Sequence, residues 1–61
     1  MKFILTIDSD NAAFEGNPAD EVARILRDVV VKLELGTERG TCTDYNGNKV
    51  GKFELIDEKG A

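Results

Sequence analysis

Apolar and polar residues alternate at the start of this chain and follow helical spacing in its middle. In residues 2–8, Phe3, Leu5 and Ile7 share one face, while Ile4 adds a lone apolar side chain to the opposite face. A period of two is typical of a β-strand with one buried face. The sequence therefore predicts a first strand at residues 2–8.

A turn and a connector follow this strand. Residues 8–11 are short and polar, and such side chains bond to nearby backbone groups and favour turns. Residues 12–16 form the connector, in which we expect Phe14 to fold back over the core.

A helix is predicted at residues 18–35, because both of its ends carry residues that helix ends prefer. Asn17 is a good N-cap, and Pro18 occupies the first helical position, where its missing N–H costs no bond. Gly36 can adopt the left-handed conformation that ends a helix. Seven apolar residues form one stripe at helical spacing, and we expect this stripe to face the core: Ala19, Val22, Ile25, Leu26, Val29, Val30 and Leu33.

Val31 and Leu35 lie outside this stripe, one turn apart on a charged face. Residues 31–35 also alternate as a strand does, but no turn residue separates Arg27 from them, so the helix is the preferred interpretation. Two explanations of the pair stay open. It is either a contact site for a partner, or it is covered by the connector at residues 37–40.

A β-hairpin is predicted in the second half of the chain, with strands at residues 41–45 and 48–57. Asn46-Gly47 lies between them, and both residues tolerate the positive φ that a type I′ turn requires. In the second strand of the hairpin, Val50 and Phe53 are three positions apart, so a regular strand would point them to opposite faces. A bulge at Gly51-Lys52 reconciles them, because one extra residue shifts the side-chain phase.

The predicted fold class is α+β, a single domain with the order β-α-β-β. One helix packs on one face of a three-stranded antiparallel sheet, with strand order 1-3-2. Placing residues 48–57 in the centre avoids a parallel pair between the first and second strands. Residues 58–61 are expected to fray.

Composition narrows the possible functions. Twelve acidic and eight basic residues give a net charge of −4, which disfavours nucleic acid as the main ligand. One cysteine permits no internal disulfide, and the chain has neither a signal-like nor a membrane-spanning apolar run. We therefore expect a cytoplasmic protein that binds no nucleic acid and no membrane.

Candidate chemistry is sparse. Two stretches that begin at Asp8 and Asp44 resemble the start of a calcium loop, but both lack its glycine and its final glutamate. The chain has no histidine, Ser9 has no activating neighbour, and a cysteine in a strand, such as Cys42, is usually inert packing. We expect no enzyme activity, no catalytic residue, no cofactor and no metal site.

A protein contact is the function that remains. The single helix leaves one sheet face open, and Ile4 and Ile56 lie on that face with Tyr45 near its hairpin end. These three residues are the predicted interaction surface. The expected partner is another protein, or a second copy of this chain that forms a homodimer through the open face or a sheet edge.

Three segments carry a resemblance to a known group of proteins. They are Asp10-Asn11-Ala12-Ala13-Phe14, the helical Glu21-Val22-Ala23-Arg24-Ile25-Leu26-Arg27, and Asp44-Tyr45-Asn46-Gly47-Asn48-Lys49-Val50-Gly51. With these segments in this order, the chain resembles a group of very small proteins of tailed phages and prophages. The resemblance implies a phage or prophage origin and a location in the host cytoplasm, and the expected protein partner is then a host or phage protein. It implies no activity and no catalytic residue.

Overall fold

The computed structural model describes residues 1–57, which form three strands and one long helix. Strand β1 spans Lys2–Ile7, helix α1 Pro18–Glu34, strand β2 Arg39–Thr43 and strand β3 Lys49–Ile56. A short 3-10 helix at Ala12–Phe14 lies between β1 and α1. The predicted frayed tail at residues 58–61 lies outside the described residues.

Strand β3 is the centre of the sheet. It pairs antiparallel with β1 on one side and with β2 on the other, so the strand order is β1-β3-β2. Phe53 faces Leu5 in one pairing and Gly40 in the other. The predicted α+β fold with strand order 1-3-2 is therefore confirmed. The second strand begins and ends two residues earlier than predicted, which leaves Tyr45 in the following loop.

Both ends of α1 have the predicted caps. The side chain of Asn17 accepts a hydrogen bond from the N–H of Asp20 at 3.2 Å. At the other end, Gly36 has a φ of +90° and donates to Leu33 O, while Thr37 donates to Lys32 O. This pair of bonds is a Schellman motif, which satisfies carbonyl groups that the helix itself leaves unpaired.

Within residues 1–57, the core contains seven buried apolar residues, and its contact with the helix differs from the prediction. Of the predicted stripe, Ile25 and Val29 are buried, but Leu26 and Val30 are exposed. The helix is rotated so that Glu21 is buried instead. The apolar residues of the core are Ala13, Phe14, Ile25, Val29, Cys42, Val50 and Phe53, and Leu5, Ile7, Val22 and Leu33 pack against them. The prediction that Phe14 folds over the core is confirmed.

The hairpin turn is not of type I′. No residue other than glycine has a positive φ within the described chain, so Asn46 does not adopt the required conformation. Gly47, with a φ of +85°, donates its N–H to Asp44 O, and Asp44 donates to Asn48 O. This pattern belongs to a three-residue loop that ends in a left-handed glycine. The loop is one residue longer than the predicted turn, because the Asp44 side chain accepts hydrogen bonds from the backbone N–H groups of Asn46 and Asn48 and so stabilises it.

A bulge in β3 resolves the opposite parity of Val50 and Phe53, as predicted, but it lies slightly earlier. Cys42 pairs with Gly51 and Thr43 pairs with Lys49, so Val50 is the extra residue. Val50 and Phe53 are therefore both buried, at 8% and 1% exposure. The bulge lets one strand contribute two residues of opposite parity to the same core.

Candidate functional site

Asp44 organises the loop between β2 and β3 through its buried carboxylate. Its Oδ1 accepts hydrogen bonds from the backbone N–H groups of Asn46 and Asn48, both at 2.9 Å. Its Oδ2 accepts from the side-chain amides of Asn11, at 2.8 Å, and of Asn48, at 3.3 Å. The buried charge is thereby compensated, since both of its oxygens have donors.

Glu21 forms the second half of this polar region. Its carboxylate accepts two hydrogen bonds from the guanidinium of Arg24, at 2.8 and 3.0 Å, and one from the backbone N–H of Tyr45 at 2.9 Å. Arg24 also donates to the carbonyl oxygen of Thr43 at 2.9 Å. A bidentate guanidinium–carboxylate pair has fixed geometry, so it sets the position of α1 against the hairpin.

The pKa values of both carboxyl groups are lowered. The hydrogen bond from Arg24 is the largest influence on Glu21, and it lowers the pKa against the opposing effect of burial. Burial is the largest influence on Asp44 and raises its pKa, but the hydrogen bonds from Asn48, Asn11 and Asn46 together outweigh it. Both groups are therefore held in the charged state by donors of the fold itself.

The three segments that carry the sequence resemblance meet at this place. Asn11 comes from the first segment, Glu21 and Arg24 from the second, and Asp44 from the third. We call these four residues the motif cluster. The sequence analysis placed Glu21 in the first helical turn and Asp44 in a turn, and it did not bring them together. The sequence feature that links these four residues is that each of them lies in one of the three segments that carry the resemblance.

The motif cluster is internally hydrogen-bonded. Within residues 1–57, every buried side-chain nitrogen and oxygen atom has a hydrogen-bond partner. Both carboxylates direct their oxygen atoms at donors of the same chain. The cluster joins the 3-10 segment, the helix and the hairpin loop.

Two further groups with potential chemistry lie elsewhere. Cys42 is buried, and burial raises the pKa of its thiol, which keeps it uncharged and a poor nucleophile. Asp8, Asp10 and Lys49 line a shallow cleft of about 140 Å³ together with Asn11 and Val50. Across residues 1–57, no three Asp, Glu, Cys or His side chains lie close enough together to hold a metal ion.

The structure separates the three residues of the predicted interaction surface. Ile4 pairs with Glu54 and Ile56 with Lys2, so the two isoleucines lie on the same open sheet face. Tyr45 is exposed, but it belongs to the hairpin loop and its N–H bonds to the helix. The remaining side chains of the open face are mostly polar or charged: Lys2, Thr6, Lys52, Glu54, Arg39 and Thr41.

Larger apolar exposure occurs on helix α1. Val31 is 51% exposed and Leu35 is 79% exposed, so the connector at residues 37–40 does not cover them, and that explanation of the pair is wrong. Leu26 and Val30, on the opposite flank of the helix, are 39% and 52% exposed. Four large aliphatic side chains, three on the helix and Leu35 at its C-cap, are thus exposed.

The two edges of the sheet differ. On the β2 edge, the carbonyl oxygens of Thr41 and Thr43 accept hydrogen bonds from Lys32, at 3.1 Å, and from Arg24, at 2.9 Å. Both donors are helix side chains that reach over the edge. No such cation bonds to the backbone of β1 within the described part of the chain. The β2 edge is capped by the helix, whereas the β1 edge is not.

Comparison with protein-family models, curated protein sequences and solved structures gives no match to this chain. The helix of the described region is too short and too polar to cross a membrane. The class of the protein therefore rests on its fold, which is one helix packed on a three-stranded antiparallel sheet.

Proposed function

We propose that this protein is a non-catalytic accessory protein of phage or prophage origin that acts in the host cytoplasm by contact with another protein. The exposure of Val31 and Leu35 is the observation that carries the proposal. Single exposed apolar residues are common on protein surfaces, but an aliphatic pair one helical turn apart forms a continuous contact strip. The phage origin is supported by the three segments that form the motif cluster.

The partner offers an apolar groove or patch to the outer flank of α1. An amphipathic helix that binds in this way uses residues one turn apart as anchors, and Val31 and Leu35 have this spacing. Lys32 and Asp28 form an ion pair of 3.2 Å beside them and supply a polar rim. Apolar anchors within a polar rim are the usual composition of a protein–protein contact.

The helix is a better candidate for this contact than the open sheet face that the sequence analysis selected. Ile56 is half-buried, and Ile4 is 40% exposed among charged neighbours. Arg39 and Glu54 on that face form an ion pair of 3.5 Å. A sheet face with scattered apolar residues and cross-strand ion pairs is typical of one that faces water.

Affinity capture from host lysate with matched surface variants tests this proposal. Wild-type protein should retain one specific host or phage protein, and Val31→Lys combined with Leu35→Lys should lose it. Ile56→Lys, which adds a lysine to the open sheet face, is the control and should retain the partner. Loss with Ile56→Lys and retention with the helix variant would move the contact to the sheet face. Capture of no specific protein by any form would contradict the proposal.

A further inference from the structure

The free edge of β1 has a defined set of outward backbone groups. The N–H of Asp8 donates to Val50 O at 2.7 Å, so Asp8 directs this group toward β3. In an antiparallel pair, every second residue of a strand points its N–H and C=O to the same neighbour. Phe3, Leu5 and Ile7 therefore direct theirs away from the sheet.

Within residues 1–57, this edge lacks the features that normally prevent strand addition. Natural sheets protect their edges with prolines, bulges, charged side chains or covering segments. Strand β1 contains no proline, its pairing with β3 runs without a register shift from Lys2 to Ile7, and Lys2 is its single charged residue. The opposite edge is capped by Arg24 and Lys32. The fold thus leaves one edge available for pairing.

We propose that β1 pairs with β1 of a second copy of this chain, antiparallel and about a two-fold axis at Leu5. The result is a continuous six-stranded sheet with the order 2-3-1-1-3-2. Leu5 of each copy then exchanges both backbone hydrogen bonds with the other Leu5, and Phe3 does so with Ile7 of the second copy. The pairing adds about six backbone hydrogen bonds. A two-fold contact of this kind uses the same surface on both copies and closes after two subunits.

Charge complementarity selects this register. With Leu5 opposite Leu5, Lys2 of one copy lies opposite Asp8 of the other, on the same face of the joined sheet. This pairing occurs twice, once on each side of the axis, because the contact is symmetric. Opposite charges in cross-strand positions stabilise a pairing, whereas a shift by two residues sets Lys2 against Thr6. The charges at the two ends of β1 are therefore complementary to a reversed copy of the same strand.

The same pairing covers an exposed aromatic ring. Phe3 lies on the helix side of the sheet, where its ring contacts Phe53 at a centroid distance of 6.3 Å, yet it is 43% exposed. In the proposed dimer, Ile7 of the second copy lies directly opposite Phe3 on this side. An aromatic residue opposite a β-branched one is a favourable cross-strand pair.

Substitutions that reverse the charge of Lys2, of Asp8 or of both test the dimer. Sedimentation equilibrium should show wild-type protein at least half dimeric at about 100 µM, which corresponds to a Kd of that order or below. Lys2→Glu and Asp8→Lys should each raise the Kd by about tenfold, because both create like charges across the contact. The double variant should restore the wild-type Kd to within about threefold, since the pair is re-formed with reversed sign.

Two controls separate this contact from other modes of association. Lys52→Glu changes the net charge by the same amount as Lys2→Glu but lies on central strand β3, so the Kd should be unchanged. Val31→Lys with Leu35→Lys should also leave the Kd unchanged, which separates the dimer from the proposed partner contact. A wild-type protein that stays monomeric, or a double variant that fails to recover, would overturn the pairing. A monomer that binds a foreign strand at β1 would equally overturn self-pairing.

Discussion

The side-chain amide of Asn11 donates a hydrogen bond of 2.8 Å to the carboxylate of Asp44, which lies 33 residues further along the chain. The side-chain oxygen of Asn11 also accepts from the N–H of Ala13 at 2.9 Å and so caps the 3-10 helix. That helix contains the buried Phe14. One asparagine therefore links the hairpin loop to the segment that closes the core.

Replacing Asn11 with Ala should lower the free energy of unfolding by about 1–2 kcal/mol, since a cap and a partner of a buried carboxylate are both lost. Urea denaturation followed by circular dichroism measures this change. Asn46→Ala in the neighbouring loop is the matched control, because only its backbone N–H bonds to Asp44. An equal loss in both variants would argue against the side-chain link.

Replacing Gly47 with Val should cost about 1–2 kcal/mol, because a β-branched residue resists the positive φ at this position. The space around the glycine is open, so the effect is purely one of backbone conformation. Asn46→Val should cost clearly less, since Asn46 does not have a positive φ. A type I′ turn would instead make both substitutions costly, so thermal melts of the two variants distinguish the turn types.

Gly51→Ala should be more destabilising, by about 2–4 kcal/mol, because the added methyl group overlaps the backbone carbonyl of Thr6. Strands β1 and β3 cannot move apart without breaking the backbone hydrogen bonds between them. Gly40→Ala places a methyl group 3.0 Å from the ring of Phe53, which can shift, so its cost should be smaller. Chemical denaturation of both variants gives the order, and a mild Gly51→Ala would exclude the close approach of the strands.

The stability of the protein should fall in acid through the motif cluster. The pKa values of Glu21 and Asp44 are lowered in the folded state, so the unfolded chain binds more protons. Their contribution is present above the unfolded values near about pH 4 and is lost as the pH falls through the lower folded values. Asp10 contributes with the opposite sign, since its hydrogen bond with Asp8 raises its pKa.

Urea midpoints from about pH 7 down to about pH 2 should record this loss, because this range runs from well above to well below the unfolded carboxyl values. Glu21→Gln combined with Asp44→Asn should lower the midpoint at neutral pH and flatten its pH dependence. Glu34→Gln, an exposed change outside the cluster, should keep the wild-type profile. An unchanged slope in the double variant would show that other groups control the acid response.

The rotation of α1 predicts unequal effects from two positions of the same apolar stripe. Ile25 is 1% exposed and Val30 is 52% exposed. Ile25→Val should cost about 1 kcal/mol through one lost buried methyl group, whereas Val30→Ala should stay within about 0.5 kcal/mol of the wild type. The reverse order in denaturant titrations would mean that the centre of the predicted stripe faces the core.

Much of the fold follows from local signals in the chain. Asn17, Pro18 and Gly36 act on their immediate neighbours, so the helix ends could be placed from the sequence. Alternation places Leu5 and Ile7 against the core, and the opposite parity of Val50 and Phe53 requires a bulge. These features depend on backbone preference and side-chain period, which are properties of short segments.

The rotation of the helix, the hairpin turn and the polar cluster were decided by tertiary structure. Glu21 is buried because Arg24 and the N–H of Tyr45 supply its hydrogen bonds, and this turns Leu26 outward although its apolar character favours the core. Asp44 likewise holds a longer loop than Asn46-Gly47 alone would select. Both carboxylates also bond to groups distant in sequence, Glu21 to the N–H of Tyr45 and Asp44 to the side chain of Asn11. A local pattern shows which groups need partners, but only the folded chain determines which partners they find.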